Sequence, residues 1–61
     1  MAEKVLIVDD DNAFLSVLAE RMQNRGMEVS TATSAAAAMK LLEKETFDAV
    51  LLDLMMPEMG G

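Results

Sequence analysis

Two short apolar runs, each closed by an acid, constrain this chain of 61 residues more than any other feature. Val5-Leu6-Ile7-Val8 runs into Asp9-Asp10-Asp11, and Ala49-Val50-Leu51-Leu52 runs into Asp53. A run of this length with no polar position suits a parallel strand covered on both faces, whereas a strand with one wet face alternates. Parallel strands cannot be joined by a tight turn, so the intervening residues must carry crossover connections. Their periodicity supplies two. After Asp11 and Asn12, either of which can cap a helix, Phe14, Val17, Leu18 and Met22 recur at helical spacing until Gly26 stops the helix, with Arg21 and Arg25 near its negative end. Glu28 to Ala32 carries Val29 and Thr31 at period two and reads as a weaker strand toward a sheet edge. Thr33 or Ser34 then caps a second helix ending near Glu45, with Ala35, Ala38, Met39 and Leu42 on one face.

The order is therefore β-α-β-α-β, an α/β class with three parallel strands. Placing the first strand in the middle gives the order 2-1-3. The two crossovers then move in opposite directions with one handedness, so one helix covers each face of the sheet. The first strand becomes the point where the order reverses, and open α/β sheets bind ligands outside the carboxyl ends of the strands at such a point. That crevice is expected to receive Asp9, Asp10 and Asp53 together.

Three converging carboxylates repel unless a cation joins them. Every candidate ligand is an oxygen, which selects magnesium over zinc or copper, and the chain has no cysteine and no histidine to offer a softer site or a Ser-His or Cys-His nucleophilic pair. The turn after the first run lacks the glycines of a nucleotide-binding loop. A phosphate can therefore approach only through a bridging metal, and a carboxylate beside that metal can form an acyl phosphate. Asp53, at a strand end beside the loop holding Pro57, Gly60 and Gly61, is the natural nucleophile. Eleven acidic against five basic residues, a net charge of −6, disfavour direct contact with nucleic acid or an anionic membrane. The apolar runs are far shorter than the roughly 18 residues of a membrane span. With no basic and apolar leader pattern at the N-terminus, a cytoplasmic location is expected. Met55, Met56 and Met59 read as packing, and Glu3, Asp48 and Glu43-Lys44-Glu45 as solvated surface.

Val5 to Asp10, together with Val50-Leu51-Leu52-Asp53-Leu54-Met55-Met56-Pro57-Glu58-Met59-Gly60-Gly61, resembles the two signature segments of bacterial response-regulator receiver domains. The resemblance spans the chain, and it implies a flavodoxin-like half-domain occupying residues 1–61. It also implies that Asp53 accepts phosphate from a histidine kinase or phosphotransfer protein in a two-component system. Mg2+ is then held directly by Asp10, Asp53 and the backbone carbonyl of Met55, and by Asp9 largely through water. The module so implied signals and is not an enzyme with turnover. Gly60 departs from the family, which usually has Asp there. An intact receiver adds two strands and three helices that bring a Ser or Thr and a Lys to the phosphoryl group, and residues 1–61 do not include them. The alternative expectation is a non-catalytic half-domain that self-associates, a homodimer pairing its third strand antiparallel with its copy across an open edge.

Overall fold

The computed structural model describes residues 2–52. Five elements follow one another: β1 (Lys4–Val8), α1 (Asn12–Gln23), β2 (Glu28–Ala32), α2 (Ala35–Lys44) and β3 (Ala49–Leu52). The strands are parallel and ordered β2-β1-β3, which is the expected α/β topology and the first part of a flavodoxin-like sheet. Val5 lies beside Val29 and Ala49, and Val8 beside Ala32 and Leu52.

Because strand side chains alternate between faces, β1 feeds two separate cores. Leu6 and Val8 pack with Ala32 and Ala38, joined by Ala37, Leu41 and Phe47, on the α2 face. Val5 and Ile7 pack with Leu15, joined by Leu18, Met22, Met27 and Val29, on the α1 face. The helices thus cover opposite faces, as expected. Full burial of Leu6, with no exposed surface, stabilises the fold by roughly 1.5–3 kcal/mol.

Both helices are rotated from the faces their periodicity suggested. On α1 the buried residue is Leu15, with Leu18 and Met22 behind it, while Phe14 and Val17 are about half exposed. On α2 the inward residues are Ala37, Ala38 and Leu41, and Met39 and Leu42 are exposed. One physical cause covers both: α1 and α2 pack over β1 and β2, so the stripe meeting the sheet is the one turned that way and the adjoining apolar flank is left uncovered. The apolar arc of each helix is wider than its contact.

The helix ends are set locally. Asp11 rather than Asn12 caps α1, its Oδ1 accepting the N–H groups of Ala13 and Phe14 at 3.0 and 3.2 Å. Ser34 caps α2 by accepting the Ala37 N–H at 3.1 Å. Gly26 takes φ +89°, and the N–H groups of Gly26 and Met27 return to the carbonyls of Gln23 and Met22, which closes α1 and turns the chain into β2.

At the opposite end of the sheet from the acids, Lys4 fastens the entry to β3. Its N–H donates to Asp48 Oδ2 at 2.8 Å, its carbonyl accepts the Asp48 N–H at 2.7 Å, and its Nζ pairs with Glu45 Oε1 at 2.8 Å and lies 5.7 Å from the Phe47 ring centre. Asp48 and Glu45 are therefore more than the solvated surface expected of them. The Glu45 hydrogen bond, with the charges of Glu45, Glu28 and Asp48, holds the Lys4 ammonium above its ordinary value of 10.5 against an opposing desolvation.

Candidate functional site

The acids that follow β1 stand where the strand order reverses. Val8 is the last residue of β1, and the ladder to β2 runs one bond further, the Asp9 N–H donating to the Ala32 carbonyl at 3.0 Å. Asp9 is only 7% exposed, buried beside the apolar end of the sheet, while Asp10 and Asp11 are exposed. A carboxylate this buried needs partners. One is the Asp11 N–H, which donates to Asp9 Oδ1 at 3.0 Å.

On the other side of β1, Leu52 lies level with Val8, and the next residues in sequence are Asp9 and Asp53. Asp53 and Met55 lie outside the described residues. The two carboxylates that are described, Asp9 and Asp10, occupy the carboxyl end of the central strand, where the switch-point argument put them.

A groove of about 610 Å³ opens beside them, lined by Ile7, Val8, Asp9, Asp10, Asp11, Phe14, Leu18, Leu51 and Leu52. Its walls are apolar side chains of β1, β3 and α1, and its acids come from the turn that joins β1 to α1. Phe14 explains its own exposure here: it stands over the groove and not over the sheet. The sequence showed Phe14 only as one of the apolar residues at helical spacing, which gives the width of an apolar arc and not its orientation.

The donor set is carboxylate oxygen, which fits a hard divalent cation such as magnesium and does not fit zinc or copper. Asp9, Asp10 and Asp11 are consecutive, yet among the described residues no three acidic side chains converge as a metal-holding group. Asp11 is turned to the helix it caps.

The family model described as the response regulator receiver domain matches residues 5–61. A response regulator receiver protein of Anaeromyxobacter is 45% identical over 58 residues, covering 95% of this chain and 24% of that protein. The heme response regulator HssR of Staphylococcus aureus is 41% identical over 56 residues, covering 92% and 25%. The alkaline phosphatase synthesis transcriptional regulatory protein PhoP of Bacillus subtilis is 34% identical over 61 residues, covering 100% and 25%. The chain spans about a quarter of the length of these curated relatives.

Proposed function

Because this chain belongs to the response regulator receiver family of two-component signalling, we propose that it contributes the phosphoacceptor site of such a receiver, with Asp53 as the accepting residue. The observation that carries the reading is the register of Val8 with Leu52, two strand residues lying level with an acid next in each sequence. In the transfer, a carboxylate oxygen of Asp53 forms the new bond to phosphorus, and the P–N bond of a kinase or phosphotransfer-protein phosphohistidine breaks. The imidazole nitrogen then takes up a proton, and the product is an aspartyl phosphate. Asp10, Asp53 and the Met55 carbonyl would hold Mg2+, with Asp9 acting through water. When bound, the cation offsets charge on the transferring phosphoryl group. Residues 1–61 form part of a receiver domain on this reading, which acts in the cytoplasm without touching nucleic acid or membrane.

The test is intact mass after incubation with Mg2+ and acetyl phosphate, comparing the chain with Asp53→Asn. A phosphate-sized, hydroxylamine-labile adduct is expected on the first and not on the second. Equal labelling of both removes Asp53 from the role, and no labelling of a chain shown to be folded removes the phosphoacceptor reading for these residues.

A specific observation favours a second reading, self-association. All four residues of β3 are exposed, with Val50, Leu51 and Leu52 at 46, 43 and 41%, and among the described residues no strand pairs with its outer edge. An apolar edge of this kind templates strand addition, and a two-fold axis across it makes the added strand antiparallel. A homodimer through β3 predicts a dimer mass in sedimentation at micromolar concentration that Leu51→Lys reduces to a monomer. A monomer in both cases rejects it.

A further inference from the structure

Asp11 is the acid of the triplet that the phosphoacceptor reading leaves without a task. We propose that it is a positioning residue for the site, orienting Asp9, and not a third cation ligand. The inference rests on the reading that Asp9 and Asp10 serve a cation.

Three linked contacts carry it. The Asp11 side chain is committed to the start of α1, with Oδ1 accepting two N–H groups, those of Ala13 and Phe14. Its carbonyl accepts the N–H of Leu15 at 3.0 Å, and Leu15 is buried in the core on the α1 face, so the Asp11 backbone is held from the helix side. Its own N–H then points to Asp9 Oδ1 at 3.0 Å. Asp9 is in turn fixed from the sheet side, by its N–H on the Ala32 carbonyl, and more than nine-tenths of it is buried at the edge of the groove. The consequence is a division of labour. The Asp11 N–H takes one acceptor site of Asp9 Oδ1 and so fixes how the carboxylate is turned, while the remaining acceptor sites of the carboxylate can meet a cation or its water. The Asp11 Oδ1 is thus engaged in the cap, which fixes the turn whose N–H meets Asp9.

Asparagine caps a helix about as well as aspartate, whereas alanine does not. Asp11→Asn therefore keeps the geometry while removing the charge, and Asp11→Ala removes both. With Mn2+ as the probe and free Mn2+ read by electron paramagnetic resonance on the full chain, Asp11→Asn is expected to bind within about threefold of the parent, since an exposed charge is partly screened. Asp11→Ala is expected to bind about tenfold more weakly, the usual scale for loss of a partner that orients a ligand. Circular dichroism checks the fold of each. Equal, strong weakening in both variants would make Asp11 a ligand, and no weakening in Asp11→Ala would remove the positioning role.

Asp10→Asn separates the two layers of the argument, because Mn2+ binding that survives it unchanged overturns the cation reading itself. Amide exchange of residue 11 decides the positioning claim even then. Protection of about tenfold, retained in Asp11→Asn and lost in Asp11→Ala after correction for intrinsic rates, supports it. Equal protection in all three chains overturns it.

Discussion

On one side of β1, β2 pairs along five residues, its ladder continues through the Asp9 N–H, and both helices lie over the pair. On the other side, the described residues of β3 pair with β1 along Ala49–Leu52, and all four are exposed. The contrast runs against composition. β3 reads Ala-Val-Leu-Leu and β2 reads Glu-Val-Ser-Thr-Ala, yet Ala32 of the polar strand is buried and none of the apolar one is. Hydropathy states which environment a strand suits, while its burial is set by what lies above, below and beside it.

The largest test of that contrast compares equal truncations on the central and the exposed strand. Leu6→Ala removes a side chain with no exposed surface and is expected to cost about 2–5 kcal/mol, enough to unfold a domain of this size. Leu51→Ala, removing a side chain that is 43% exposed, should cost on the order of 1 kcal/mol. Urea denaturation followed by circular dichroism measures both. Equal costs would break the comparison by showing that β3 is covered in solution, which is also what the dimer reading requires.

The same contrast marks how far the sequence could be read. Strand positions and the order β2-β1-β3 were legible because the apolar runs and the glycine and cap signals are local, and the topology follows from handedness. Helix orientation was not. Phe14, Val17, Met39 and Leu42 are apolar residues at helical spacing, but which part of an apolar arc meets the sheet depends on where the helix lies across it, and both helices lie over β1 and β2. At the site, the place of Asp9 and Asp10 was legible from the switch point. The commitment of Asp11 to the α1 cap was open between two adjacent residues, and its N–H on Asp9 depends on a turn geometry that residue types do not determine. The Lys4 clip pairs groups far apart in the chain and leaves no periodic signal.

A second test acts on the well-held side. Ser34→Ala removes the cap of α2 and should cost about 1 kcal/mol, while Ser34→Asn should cost a few tenths, because asparagine still accepts the orphan N–H. The loss should appear in hydrogen exchange of α2 and in β1 and β2, which it covers. Exchange accelerated only in β3 would show that α2 serves the exposed strand after all.

A third test acts on the other side. Asp48→Ala deletes the acceptor for the Lys4 N–H and should cost about 0.5–1.5 kcal/mol. Its signature is regional: β3 amides exchange faster, and β2 amides do not change. A uniform change across the sheet would mean that β3 opens only when the whole molecule unfolds.

The smallest effect is the pH dependence of the same clip. Lys4 holds its proton more tightly in the folded chain than in the unfolded one, first through the Glu45 hydrogen bond and then through the charges of Glu45, Glu28 and Asp48. A raised folded-state value gives a contribution that is complete below 10.5 and disappears as pH climbs through that folded-state value. Stability attributable to Lys4 should therefore be level through neutral and mildly alkaline solution and decline only above 10.5. The pair is exposed and screened, so the decline is small and is best read as the difference between the parent and Lys4→Met, which lacks the titrating group but retains an apolar stem beside Phe47. That difference should shrink toward zero in strong alkali and should be diminished by salt at neutral pH. A difference that persists unchanged above the titration would assign the hold on β3 to the two backbone-centred bonds with Asp48, with the ammonium contributing only its stem, and would move the charged part of the clip out of the account of why β3 stays paired.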